Sequence, residues 1–217
     1  MTIPETWELT ARQISICVGV LLGDCSIQTQ DNGRSYRLKF EQSEEHYAYI
    51  AHLYHELAPW VLSPPRPTER VNLNGVTVVT YQLQTVGHPA FNFLADLFVT
   101  TGGVKTIHVD AIEPYFDEIG LAYWFMDDGG PMDYKPKGSK GLVFHTQGFT
   151  WDEVESLTAM LIRKFDLSCW VKPNKKRPTI AVSGHCYELM VELIGPHLIP
   201  AMTYKFPEPR VRRRRSR

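Results

Sequence analysis

The chain has 217 residues, of which 43% are hydrophobic and 12% aromatic, enough to fill the core of one large domain or of two fused small ones. This excludes a disordered protein; apolar stretches much shorter than a membrane span, and an opening Met1-Thr2-Ile3-Pro4-Glu5 without basic flank or signal core, lead us to expect a soluble chain made where it works. The formal net charge of −1 argues against a broadly basic nucleic-acid protein, so any contact with DNA must depend on segregated charge.

Six arginines lie between Arg210 and Arg217, leaving 17 of the 23 basic residues to face 24 acidic ones in the body. Such a tail can hold a polyanion, or serve targeting or solubility. Cys17, Cys25, Cys169 and Cys186 form no C-x-x-C pair, so we expect buried or idle thiols rather than a zinc site or disulfide framework.

From about Leu9 to Asp24 the spacing of Ile14, Ile16, Val18, Leu21 and Leu22 predicts a helix, with Thr10 as N-cap. Gly19 and Gly23 each cost about 1 kcal/mol there against alanine, which implies that a neighbouring backbone comes close. Strands from Ser26 to Gln30 and from Ser35 to Gln42 flank the turn signal Asp31-Asn32-Gly33. Alternation puts Tyr36, Leu38 and Phe40 on one face and Arg37 and Lys39 on the other, with Ser26, Gln28 and Gln30 as the polar face of the neighbouring strand. Such a ribbon can enter a major groove, or be a plain solvent-facing sheet. Glu44 to Leu57 reads as an amphipathic helix with Tyr47, Ile50, Leu53, Tyr54 and Leu57 inward, and Pro64-Pro65-Arg66-Pro67 as a rigid connector. A second hairpin follows, Glu69 to Leu73 and Val76 to Thr85, with Thr80, Gln82 and Gln84 opposite Val79, Tyr81 and Leu83. A helix from about Pro89 to Val99 and a segment ending in Lys105 close the half.

The order then repeats: a helix to Asp128, strands near Pro131 to Gln147, a helix from Trp151 to Phe165, a hairpin from Trp170 to Val182, a helix from His185 to Ile194, and a terminal segment with Lys205. Local matches keep the same order, pairing Phe40-Glu41-Gln42 with His145-Thr146-Gln147, Trp60-Val61 with Trp170-Val171, Gly87-His88 with Gly184-His185, and Lys105 with Lys205. We therefore expect an α+β fold, a pseudo-twofold tandem of αββαββα units, with halves at 1–112 and 113–208 and a basic tail at 209–217. If the two apolar helices pack in parallel, Asp24 and Asp128 meet at one end. Carboxylates held close either raise each other's pKa or share divalent cations.

The second motif with its extension, Leu121-Ala122-Tyr123-Trp124-Phe125-Met126-Asp127-Asp128-Gly129-Gly130, resembles the single-chain, two-motif branch of the LAGLIDADG homing endonucleases. So do Trp60-Val61-Leu62-Ser63-Pro64-Pro65, Lys105-Thr106-Ile107 and Leu198-Ile199-Pro200-Ala201-Met202-Thr203-Tyr204-Lys205, and the likeness runs from Ile14 to Pro207. The resemblance implies two motif helices at the interface between halves and two antiparallel β-sheets forming a saddle over a long double-stranded DNA site. It implies Asp24 and Asp128 as metal-binding carboxylates, the carbonyls of Gly23 and Asp127 as further oxygen ligands, and Mg²⁺, replaceable by Mn²⁺, as the cation. Lys105 and Lys205 match the basic position near each scissile phosphate, Gln42 and Gln147 a polar position beside each site, and the product would carry short 3′ overhangs. The chain departs from the pattern at Cys25, which stands for a glycine, and at Tyr123 and Asp127, which stand where the first copy has Gly19 and Gly23. His88 and His185 recur with the repeat and are expected to cap or pack.

For DNA contact we expect Ser26, Gln28, Gln30, Arg34, Arg37, Lys39, Arg70, Asn72, Thr80, Gln82 and Gln84 in the first half. In the second half Lys135, Lys137, Lys140, Lys172, Asn174, Lys175, Lys176 and Arg177 suit phosphate. The resulting reading is a monomeric, site-specific DNA endonuclease that initiates intron homing. Its rivals are an RNA maturase acting on intron RNA and a noncatalytic DNA-binding repressor. The lack of a transit peptide suits an organelle-encoded protein, the mitochondrion first, and equally a chloroplast or a prokaryotic cytoplasm; no membrane partner is expected.

Overall fold

Thr10 starts the first helix, α1 (Ala11–Leu22), through a capping box: its hydroxyl accepts from the Gln13 backbone N–H, and the Gln13 side chain accepts from the Thr10 N–H. In the computed structural model the described residues are 3–71, 73–98, 105–132 and 139–207, so the expectations for Asn72, Lys135, Lys137 and the arginine tail lie outside them. After α1 come β1 (Ser26–Gln28), β2 (Arg37–Ser43), α2 (Tyr47–Glu56), β3 (Arg66–Val71), β4 (Thr77–Gln84) and α3 (Asn92–Phe98). A single turn, α4 (Val109–Ile112), leads to α5 (Glu118–Asp128), β5 (Gly129–Pro131), β6 (Leu142–Phe144), α6 (Trp151–Phe165), β7 (Cys169–Asn174), β8 (Arg177–Val182) and α7 (Tyr187–Ile194).

The strands form two antiparallel sheets of the same order, β1-β2-β4-β3 and β5-β6-β8-β7. This is the expected α+β tandem. Between the sheets lie α1 and α5, apolar nearly all round and buried along their lengths, as helices in the middle of a core must be. They run in parallel, because the contacts advance together along both: Ser15 donates to Asp117 (2.8 Å), Gly19 faces Gly120, and Gly23 faces Asp127. A methyl group on Gly19 would lie 2.3 Å from the Gly120 carbonyl oxygen, and one on Gly23 would lie 2.4 Å from the Asp127 Cβ. The two glycines thus do what their placement in a helix suggests, admitting the second helix at backbone contact. Trp60, Trp124, Tyr49 and Tyr123 are among the largest fully buried side chains around this pair.

Local readings need correction at three places. Tyr47 is exposed, its ring edge-on to Tyr81, while Tyr49 is fully buried; Glu44–His46 form a 3₁₀ turn, whose three-residue period shifts the phase before α2 starts. Arg66 and Pro67 belong to strand β3 rather than to a connector, with Pro67 on the sheet's edge strand, where proline is tolerated.

The third correction concerns register. In the first half Ser26 pairs with Lys39, and in the second Gly130 pairs with Val143, so both strands repeat at the 104-residue separation of Asp24 and Asp128. Phe40 then corresponds to Phe144 and Gln42 to Thr146. By this count Gln42 falls one residue short of Gln147, although β6 itself ends at Phe144 and the Thr146 N–H turns back to the Phe144 carbonyl.

Candidate active site and nucleic-acid interface

Asp24 follows the Gly23 cap of α1, and Asp128 is the last residue of α5, so the parallel helix pair delivers both carboxylates to the same end. Asp24 is exposed and accepts from the Gln42 amide at 3.1 Å. Asp128 is more enclosed, and burial followed by the charge of Asp24 pushes its pKa up to about 7, against the pull of Lys205 and Lys105. The indole N–H of buried Trp124 favours the ionised form without closing a hydrogen bond of normal geometry.

Asp127 lies between the two. Its carboxyl is lodged against Gly23, accepts from the Asp24 backbone N–H at 3.3 Å, and is held well above the usual carboxylate range by burial and by both neighbouring aspartates. Gly23 and Asp127 are therefore complementary: the residue missing its side chain makes room for the one that has it.

The two lysines reach the site from segments that end their respective halves. Lys105 donates to the carbonyls of Gly23 (3.4 Å) and Cys25 (3.3 Å), and Lys205 donates to the carbonyl of Asp127 at 2.7 Å. Each ammonium is thus fixed beside the residue preceding a catalytic-position aspartate. Burial lowers both lysine pKa values, with the surrounding carboxylates opposing that shift.

The donor set is made of hard oxygens, and crowded carboxylates with raised pKa values are the electrostatic condition a divalent cation relieves. Among the described residues no three His, Cys, Asp or Glu side chains converge on one point. Two carboxylates with carbonyl support still fit such a cation, because Mg²⁺ commonly keeps waters and takes substrate phosphate oxygens alongside one or two carboxylates. The carbonyls of Gly23 and Asp127 accept from the lysines in this structure, so their part in any cation site competes with those hydrogen bonds.

The Gln147 amide contacts His145 Nδ1 at 3.4 Å, and the His145 backbone N–H donates to the Asp128 carbonyl. At the position corresponding to Gln42, the buried Thr146 hydroxyl donates to the Pro178 carbonyl. His88 caps the turn before α3 and packs on Trp60, whereas at the second copy Ser183 does the capping and His185 is exposed. All four cysteines are free and buried.

Outside this centre, one face of the first sheet gathers Ser26, Gln28, Arg37, Lys39, Glu41, Thr80, Gln82, Gln84, Thr68 and Arg70 by strand alternation and register. Gln30 and Arg34 lie in the exposed β1–β2 loop. In the second half Lys175 and Lys176 form the β7–β8 turn with φ of 48° and 68°, flanked by the pair Asn174 and Arg177, and Lys172 lies within β7. Lys140 is engaged elsewhere, in an ion pair with Glu188 and over the Tyr187 ring. Glu41 was absent from the expected contact set, although alternation alone places it beside Arg37 and Lys39.

Paired helices carrying two aspartates between matched sheets define a tandem two-motif nuclease fold. Residues 14–189 match the LAGLIDADG DNA endonuclease family, and the chain belongs to that family. It is 41% identical over 198 residues to a probable intron-encoded endonuclease 1 of Wickerhamomyces canadensis, covering 91% of this chain and 84% of that one. The solved structure of the homing endonuclease I-WcaI bound to its DNA recognition sequence superposes with a TM-score of 0.86 at 40% identity, over 92% of this chain and 87% of that one. A cytochrome b mRNA maturase bI2 of Debaryomyces hansenii is 27% identical, over 91% of this chain and 74% of its own length.

Proposed function

We propose that the chain is a monomeric homing endonuclease that cuts both strands of a specific DNA site, leaves short 3′ overhangs and so initiates movement of its own intron. One observation carries this reading: the parallel helices set Asp24 and Asp128 at one end, each beside a lysine-bound carbonyl, with one sheet of each half on either side. A single chain therefore supplies two half-sites, as cutting two strands requires.

A divalent cation, Mg²⁺ with Mn²⁺ as substitute, would be held by Asp24 and Asp128 and would supply positive charge to the phosphoryl oxygens and the attacking water. The chain's own groups do the rest. Gln42 holds one Asp24 oxygen. Lys105 and Lys205 place ammonium charge where the leaving oxygens become negative. The polar face of the first sheet reads base edges, and the lysine turn of the second grips phosphate. Relatives named as intron-encoded endonucleases and cytochrome b mRNA maturases support an organelle intron as the source, in the mitochondrion.

The test is cleavage of a randomised duplex library with Mg²⁺, followed by Asp24→Asn and Asp128→Asn on the selected site. Each variant should lose double-strand cleavage by at least about a thousandfold while still binding the duplex. Wild-type cleavage in both would sink the assignment. The maturase relative supports a second reading, RNA binding that aids splicing. It predicts tight binding of the host intron RNA and an indifferent response to both substitutions.

A further inference from the structure

Glu41 is a carboxylate in the middle of the sheet face proposed to meet DNA, where it would repel phosphate unless neutralised. It accepts three hydrogen bonds and has one further ion-pair contact. Its Oε1 takes Thr80 Oγ1 at 3.0 Å, its Oε2 takes Arg70 Nη2 at 3.3 Å and Gln82 Nε2 at 3.2 Å, and Arg70 Nη1 lies 3.2 Å from Oε1. The cluster spans three strands, from β2 across β4 to β3.

A carboxylate offers about four lone-pair sites, so three hydrogen bonds and the second Arg70 nitrogen engage most of Glu41 within the sheet. What it does is orient others. A carboxylate only accepts, so the amide of Gln82 must turn its NH₂ group towards Glu41. That fixes which way the amide faces and leaves its carbonyl oxygen and second N–H free, the pair that matches adenine N6 and N7. Arg70 spends one N–H, on Nη2, on Glu41 and keeps four donors, enough for a guanine edge. Neutralised in this way, Arg70 is also withheld from the phosphates.

We propose that Glu41 is a specificity-determining positioning residue. Without touching a base, it fixes the orientation of Arg70 and Gln82 for base readout and keeps Arg70 from nonspecific phosphate contact. The proposal rests on the reading of this sheet face as the DNA surface.

The experiment compares wild type with Glu41→Gln, Glu41→Ala, Arg70→Ala and Gln82→Ala. Each is profiled base by base on the duplex site selected by the wild type, and titrated on non-target duplex over a range of salt; thermal melts confirm folding. Glutamine keeps the size of Glu41 but halves its acceptors and adds donors facing donors. Glu41→Gln should lose about tenfold or more discrimination at the same one or two base pairs that Arg70→Ala and Gln82→Ala affect, and nowhere else. Glu41→Ala should lose the same discrimination yet bind non-target duplex more tightly, with the log affinity against log salt steeper by about 0.9, one extra phosphate contact.

An unchanged profile in Glu41→Gln and Glu41→Ala, with Arg70→Ala and Gln82→Ala altered, overturns the role of Glu41 alone. A loss at a base pair that neither Arg70 nor Gln82 governs also overturns it, by making Glu41 a direct reader. If Arg70→Ala and Gln82→Ala themselves leave the profile intact, the reading of the sheet face fails first.

Discussion

The two halves share strand order and register but not surface chemistry. Shifting the first sheet's face by its repeat carries Ser26 to Gly130, Lys39 to Val143 and Gln84 to Ala181, so polar groups on one sheet become small or apolar ones on the other. Val143 and Ala181 are also closed off from solvent, at 6% and 0% exposure. The fold needs only the core-facing side of each strand to stay apolar; the other side is free to diverge, and the proposed base reading falls to the sheet that kept donors and acceptors. The same divergence reaches the centre. Asp24 is exposed and held by an amide, whereas Asp128 is enclosed beside an indole.

That inequality is broken or sharpened most strongly at the lysines. Lys105→Met and Lys205→Met should each slow cutting of one strand by about a hundredfold and accumulate nicked DNA, visible on a gel of supercoiled, nicked and linear forms. Lys205 makes one short contact and Lys105 two longer ones, so each loss strands carbonyl acceptors and should cost about 1–3 kcal/mol of stability, the loss of Lys105 stranding the greater number. Equal melting temperatures for the two variants would remove this difference between the half-sites.

A smaller effect tests the register. Gln42→Ala removes a donor from a catalytic-position carboxylate and should slow one strand about tenfold; Gln147→Ala, whose amide touches His145 instead, should leave both strands near the wild-type rate. Matching defects would restore the sequence pairing of Gln42 with Gln147 and refute the strand correspondence.

Most of the architecture was legible because it rests on strong local signals. Thr10, the glycines of α1 and the all-round apolar character of both motif helices specify a buried, closely packed pair, and α6 runs from Trp151 to Phe165 as its periodicity predicts. What escaped depends on phase. A three-residue match could not decide between Thr146 and Gln147, which follow a turn after the end of β6. The 3₁₀ turn at Glu44–His46 exchanged Tyr47 for Tyr49. The engagement of Glu41 by Arg70, Thr80 and Gln82 requires three strands to be in register, and the fit of Asp127 into the space at Gly23 requires the helix crossing itself; neither is a property of any single segment.

The smallest expected effect is a pH dependence of stability. Asp128 has a folded pKa of about 7 against about 3.9 for an unfolded aspartate, so the unfolded state releases its proton more readily and the metal-free fold loses stability as pH rises through 7. Asp127 acts in the same direction, while the half-buried His52 and His145, with lowered pKa values, oppose it by disfavouring the fold as pH falls. The difference between wild type and Asp128→Asn isolates the Asp128 contribution. In chelator, from about pH 8 down to about pH 5.5, wild type should gain up to about 1.4 kcal/mol on the variant for each unit below 7, or about 3–6 °C in melting temperature. Mg²⁺ and the proton compete for the same oxygens, so added Mg²⁺ should stabilise wild type more at the alkaline end. Parallel melting curves for the two proteins, with or without Mg²⁺, would mean that enclosure does not set Asp128 apart from Asp24, and the inequality of the half-sites would have to arise at the lysines alone.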